Sequence, residues 1–357
     1  MDVDSTNVST GDEESCDLLS PSEHQKGVIP ALYSVIFVLG FLGNVLVVCV
    51  LCQRSCRQTV ANTYLVNLAM SDLLFLSGLP FWAVFYSLDY NWVFGWLMCK
   101  VCGGLMSLNV YAGIFFITCM SVDRYRAIVH PLRSQSSRSV CRARAIAAAI
   151  WTVAAVSTAP NVAFRRLHTM PNNATACVLA YPSAHWYPAQ ALAKNTLGFL
   201  LPFTIIFTCY FRIGRHLLAA PAIEQGPEHL DRVLRMVVAV VLAFFLCWFP
   251  FHVLTFLSAL RWLGVHMPCQ LQRGVEMLMS FSLCLGFSNS AINPFLYCFV
   301  GNHFREQLYR LYREKAPRLS QKRDSISTRL SSFSRKLSDL RDPGTPDTHT
   351  LRSMSHS

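Results

Sequence analysis

Charge is scarce in this chain. Asp, Glu, Lys and Arg make up 14% of its 357 residues, against about 25% in an ordinary soluble domain. With 53% of the residues hydrophobic, water cannot be the only solvent. Catalytic signatures are lacking as well. No His-Glu-x-x-His, no Gly-x-Ser-x-Gly and no paired aspartates stand at membrane depth, which leaves an intramembrane enzyme without machinery. Internal repeats and paired broken helices, the marks of a transporter, are missing too. The fourteen cysteines show no zinc spacing. Residues 1–27 have no apolar core, so a cleavable signal peptide is not expected and the first span would serve as an uncleaved anchor. No cysteine follows residue 300, so a palmitate anchor in the tail is unsupported.

What is present is seven apolar segments, at about 28–52, 61–88, 97–129, 142–164, 189–218, 232–263 and 270–300. Their lengths suit helices, since a spanning barrel strand needs only about 9–11 residues. The expected fold class is therefore all-α: a seven-transmembrane helix bundle over 28–300. It is preceded by a flexible acidic arm (1–27) and followed by a short amphipathic helix (301–315), suggested by the spacing of Leu308, Leu311 and Tyr312. A disordered tail with many serines (316–357) closes the chain.

The net charge of +11 does not point to nucleic acid, because the basic residues have an address. Residues 1–30 hold seven acids and one base, the loop 124–144 holds six arginines, and residues 301–357 hold twelve Lys or Arg. Basic residues beside membrane spans favour the cytosol, which places the N-terminus outside and the C-terminus inside the plasma membrane. The sequons at Asn7 and Asn173 then fall on the outer side.

The stretch Cys99–Pro131 is the organising one. It runs from a cysteine at an outer end to Asp123-Arg124-Tyr125, an acid–arginine pair at the inner end of an apolar helix. A charge in hydrocarbon costs roughly 2.5–3.5 kcal/mol on insertion scales, so such residues need a reason. Asp72 is either a protonated acid bonded to a neighbour or a cation site with Asn109, Asn289 and Asn293 around it. Lys194 either snorkels to the interface or faces the bundle interior as an anchor for an anion. Trp82 and Tyr86 read from spacing as an interfacial belt first and a pocket wall second. Pro250 should kink the sixth helix, with His252 on the face of Trp248. The fourth helix is expected to end near Pro160, the seventh to break at Asn293-Pro294, and 165–188 to form a polar outer loop. Gly40 and Gly43 would let a neighbouring helix come close.

Four cysteines, Cys16, Cys99, Cys177 and Cys269, fall on the oxidising side and allow three pairings. Cys99–Cys177 would tether the long outer loop to the third helix, and Cys16–Cys269 would then tie the arm to the seventh.

Six local patterns stand in order: Gly43-Asn44, Leu68-Ala69-Met70-Ser71-Asp72, Asp123-Arg124-Tyr125, Trp151, Cys247-Trp248-Phe249-Pro250 and Asn293-Pro294-Phe295-Leu296-Tyr297. Together they resemble the rhodopsin-like (class A) G-protein-coupled receptors. The longer strings Phe115–Tyr125, Cys247–Leu257, Asn293–Asn302 and Lys194-Asn195 with Leu197-Gly198-Phe199 are similar to angiotensin receptors, the type 2 group above all. The resemblance implies a receptor, not an enzyme, for an angiotensin II-like peptide, with a kinin or chemokine-like peptide as the alternative. A heterotrimeric G protein or another signalling partner would meet the inner face.

By the same resemblance Lys194 and Arg165 would bind the peptide's carboxylate. Trp82, Tyr86, Met106, Trp248, His252 and Glu276 would line the pocket. Asp123, Arg124, Tyr125, Tyr210, Pro250, Asn293, Pro294 and Tyr297 would form the switch. Asp72, Asn109 and Asn289 would hold a sodium ion, with no other cofactor. The chain departs from the pattern in three places. Ser258 stands where the family has an acid, Glu276 replaces an aspartate beside an added Arg261, and Leu230 stands where many receptors carry the acid that locks Arg124.

Overall fold

The computed structural model describes residues 23–53, 59–132, 134, 138–170, 173–219, 229–300, 308, 309 and 313. Seven helices in it are long and apolar enough to cross a membrane. We number them α1 (Glu23–Leu51), α2 (Val60–Ser87), α3 (Gly95–Val129), α4 (Val140–Phe164), α5, α6 (His229–Trp262) and α7 (Cys269–Val300). Helix α5 is Trp186–Asn195 and Leu201–Ala219 joined by a π-helical turn, Thr196–Leu200. The seven spans fall within a few residues of the apolar segments. The outward faces carry large apolar side chains such as Val156, Phe207, Leu246 and Phe249. Only a hydrocarbon solvent makes such a surface favourable.

Local sequence explains the starts. Thr59 accepts from Asn62 N and caps α2, and Ser139 accepts from Arg142 N and caps α4. At the other end of α4, Lys100 Nζ donates to the carbonyls of Val162 and Ala163 at 2.8 and 3.3 Å, satisfying acceptors that a helix end leaves open.

Two expected breaks do not occur. α4 runs through Pro160 to Phe164, and α7 runs through Pro294 to Val300. For α7 the reason is visible. Pro294 has no N–H to donate to the carbonyl of Ser290. Asn44 Nδ2 supplies that bond instead, at 2.9 Å, while also donating to Gly40 O. Inside a bundle a neighbour's side chain can thus keep a proline-containing helix intact. Gly43 makes the approach possible, since a Cβ there would lie 2.9 Å from the Pro294 ring, and one at Gly40 would meet Leu76 and Ala291. Trp151 Nε1 donates to Asn67 Oδ1 at 2.9 Å and joins α4 to α2.

The segment read as a polar loop contains a β-hairpin. β1 (Arg165–Thr169) pairs antiparallel with β2 (Thr175–Leu179), Arg165 opposite Leu179. Cys99 and Cys177 are disulfide-bonded with Cα atoms 5.7 Å apart, so β2 is fastened to the start of α3. The loop before α3 adds two bonds, Trp92 N to Thr175 O and Thr175 N to Asn91 Oδ1. Asn173 is exposed at the hairpin tip with φ 61°, a conformation Asn tolerates. Cys269 is also in a disulfide, while Cys16, its expected partner, lies outside the described residues. So do Asn7, most of the amphipathic segment 301–315 and the tail, apart from helical Leu308, Tyr309 and Arg313.

Two outcomes test this packing. Cys177→Ser opens a loop closed across 78 residues, worth up to about 4.5 kcal/mol by chain entropy. The melting temperature should fall by several degrees, and no fall would contradict the tether. Gly286→Ala would place a methyl 2.8 Å from the Trp248 ring, at a cost of about 1–3 kcal/mol. Unchanged thermal stability would show that Trp248 is not held there.

Candidate functional site

Among the described residues, two adjoining cavities lie at the end of the bundle that carries the disulfide. The deeper, about 160 Å³, is lined by Met106, Ser107, Asn161, Arg165, Lys194, Trp248 and Phe251, among others. Each polar member arrives on a different element. Arg165 is the first residue of β1, where α4 gives way to the hairpin. Its guanidinium carbon sits 5.3 Å from the Trp82 ring centroid, and its Nη1 donates to Cys177 O at 3.3 Å. Its Nε is buried without a partner among the described residues. Burial pushes this guanidinium down from its ordinary value, the sign expected for a cation taken from water without an acid beside it.

Lys194 stands on α5 just before the π-helical turn. One residue inserted into a helix rotates the part before it by about 100° relative to the part after. The turn ends where Pro202 cannot donate to the preceding turn. Lys194 Nζ lies over the Phe251 ring at 5.5 Å, facing inward rather than toward headgroups. No Asp or Glu lines this cavity among the described residues. Among the described residues, two cations therefore share a cavity without a counter-ion, and Ser107 Oγ is buried without a partner. A carboxylate could take charge-assisted bonds from both.

The second cavity, about 380 Å³, adjoins the first at Leu283. Tyr86, Tyr187, Ser258, Arg261, Trp262 and Glu276 line it. Arg261 Nη1 donates to Glu276 Oε1 at 2.9 Å, so the acid expected to meet a ligand's cation already has a partner on α6. Both side chains are about two-fifths exposed (41% and 43%).

Two expected pocket residues sit beside these two cavities rather than in their walls. Trp82 lines neither cavity; it lies against the Arg165 guanidinium and Trp92 and so positions the arginine. His252 lines neither cavity either. Its Nδ1 donates to Asn195 Oδ1 at 2.7 Å, and its ring packs on Phe199, stitching α6 to α5. Phe251, one residue earlier, shares the cavity face with Trp248. The signal for Ser107 was present in α3: Gly103, Met106, Ser107, Val110 and Tyr111, all cavity-lining, fall at i, i+3, i+4, i+7 and i+8. Asn161, which accepts from Gln190 Nε2, gave no sequence pattern.

Deeper in the bundle Asp72 is buried. Its Oδ1 accepts from Asn109 Nδ2 at 2.9 Å and Ser290 Oγ at 2.7 Å, and its Oδ2 from Asn293 Nδ2 at 3.2 Å. Ser290 makes the contact expected of Asn289, whose buried Nδ2 finds no partner among the described residues. At the far end of α3, Arg124 Nη2 donates to Asp123 Oδ2 at 3.0 Å, and Tyr125 hydrogen-bonds His130. Tyr297 has a buried hydroxyl without a partner among the described residues, a group that a second arrangement could satisfy, and Tyr210 stands near Ser121 and Arg124. Pro250 lies inside α6 two residues beyond Trp248.

Comparison with known proteins agrees with this layout. The family described as 7 transmembrane receptor (rhodopsin family) matches residues 43–297. The human type-2 angiotensin II receptor is 45% identical over 321 residues, covering 89% of this chain and 88% of that one. The rat type-2 receptor is 43% identical with 92% of each chain covered. A type-1 angiotensin II receptor of Xenopus laevis is 38% identical with 94% of each covered. Matched across most of its length by such relatives, and carrying seven spans with a polar, doubly cationic cavity among them, this chain belongs to the rhodopsin family of seven-transmembrane receptors, in its angiotensin II receptor branch.

Proposed function

We propose that this protein is a plasma-membrane receptor for an angiotensin II-like peptide, of type 2 character, with its disulfide end outside the cell. The observation that carries the reading is the pair Arg165 and Lys194, two cations in one cavity with no acid lining it among the described residues. The C-terminal carboxylate of a peptide supplies the missing charge. Trp82 and the hairpin hold Arg165 in place, and Phe251 carries Lys194. Trp248 forms the floor, packed on Phe251 and Phe287 and backed by Gly286.

Signalling is then a shift of population. A ligand moves the bundle only by its differential affinity for the two arrangements. Trp248 and the Pro250 segment of α6 would carry the change, and Arg124 would leave Asp123 to meet a G protein or another cytoplasmic partner. A sodium ion near Asp72 would favour the resting arrangement. The residues suit it, since a buried carboxylate stands beside the oxygens of Ser290 and Asn109, and Asn293 Oδ1 is buried without a partner among the described residues.

Radioligand binding tests the carboxylate site. Lys194→Ala should weaken angiotensin II about tenfold or more, the loss of one charge-assisted bond. Amidating the peptide's C-terminus should weaken it at least as much on the native receptor, and by a smaller factor on Lys194→Ala, where only the Arg165 contact remains to be lost. Full and equal losses in both backgrounds would place the carboxylate elsewhere. At the second cavity, a cationic ligand group must displace Arg261 to reach Glu276. Arg261→Ala should therefore raise angiotensin II affinity about two- to fivefold, the range of an exposed ion pair; a fall would mean that Arg261 contacts the peptide itself.

A further inference from the structure

At the Arg124 end, one carboxylate serves two arginines. Arg124 reaches Asp123 with a single Nη2, at 3.0 Å from Oδ2. Arg138 takes both oxygens, Nε donating to Oδ1 and Nη2 to Oδ2, each at 2.8 Å. This parallel fork is the stronger and more directional of the two contacts. Arg138 is also held in place. It directly precedes Ser139, the residue that caps α4, so its backbone is set by the start of a helix. Asp123 is only 9% exposed. Removing one partner from a buried carboxylate is strongly unfavourable when nothing replaces it.

We propose that Arg138 is the counter-ion that stays with Asp123 when Arg124 leaves, making it a positioning residue for the receptor's switch. Arg124 can then swing toward a cytoplasmic partner without stranding a buried negative charge. The resting contact between Asp123 and Arg124 is weakened, because Oδ2 is already shared with the fork. Arg138 thus lowers the cost of the active arrangement from the end of the bundle opposite the peptide cavity. This deepens the switch reading above and rests on it, but not on the identity of the ligand.

The test is a ligand-free double-mutant cycle on the full chain in lipid nanodiscs. A fluorine label at Arg235→Cys on α6 reports the fraction of receptors with the helix displaced, in a background where Cys49, Cys52, Cys56 and Cys141 are serine. Arg138→Ala should lower that fraction by at least about threefold. Arg138→Lys, which keeps a charge but not the fork, should recover part of it. In an Asp123→Asn background, where there is no charge to strand, Arg138→Ala should have almost no effect. An equal effect in both backgrounds, no effect in either, or a lysine variant no better than alanine would overturn the proposal. Because no peptide is added, failure here leaves the angiotensin assignment standing, and a failed binding assay leaves this cycle readable.

Discussion

Hydrocarbon offers no hydrogen bonds and no counter-ions, and most of this architecture answers that constraint. Backbone groups must be satisfied inside each span or by a neighbour. Asn44 shows how far this goes: its amide completes α7 where Pro294 cannot, and Gly40 and Gly43 are small so that it can come close enough. The same rule makes Arg165 and Lys194 informative. A cation within an apolar bundle is costly unless something compensates it. Here the visible compensation is partial, an aromatic face for each and one carbonyl for Arg165. The shortfall is what a ligand acid would fill.

The two ends of the bundle treat charge differently. Among the described residues, cations outnumber acids in the two cavities, and the ion pair there, Arg261 with Glu276, lies about two-fifths exposed, where it can be exchanged. At the other end Asp123 is over-provided, held by a fork from Arg138 and a single bond from Arg124. Between them lie the Asp72 cluster, Trp248 against Gly286 and the buried hydroxyl of Tyr297, which has no partner among the described residues. A deficit of acid at one end and a replaceable contact at the other is the arrangement a ligand-driven two-state bundle needs.

Much of the fold could be read from the chain, because spans of twenty or more apolar residues are a strong signal, and the polar residues inside them are few enough to weigh one by one. Lys194 facing inward, Gly43 beside α7 and the Cys99–Cys177 tether belong to that class. What escaped was set by non-local bonding. The hairpin at Arg165–Leu179 has no apolar alternation; its pairing depends on the disulfide and on Trp92 and Asn91 far away in sequence. The continuity of α7 through Pro294 depends on an amide 250 positions earlier. The i+4 rule puts His252 on the face of Trp248, yet the i+3 residue Phe251 lines the cavity and His252 bonds Asn195. Spacing alone does not separate those two neighbours. Ser290 over Asn289 is the same difficulty at one residue's resolution. The fork from Arg138 could not be found by pattern at all, since it joins a loop end to a helix end.

The central claim is that the two unpaired cations of the deep cavity receive the acid of a peptide. A density map of the receptor with angiotensin II bound tests it most directly. The account predicts the C-terminal carboxylate within hydrogen-bonding distance of both Arg165 and Lys194, above Trp248. A carboxylate found in the outer cavity or in solvent, with both cations still unpaired, would contradict it.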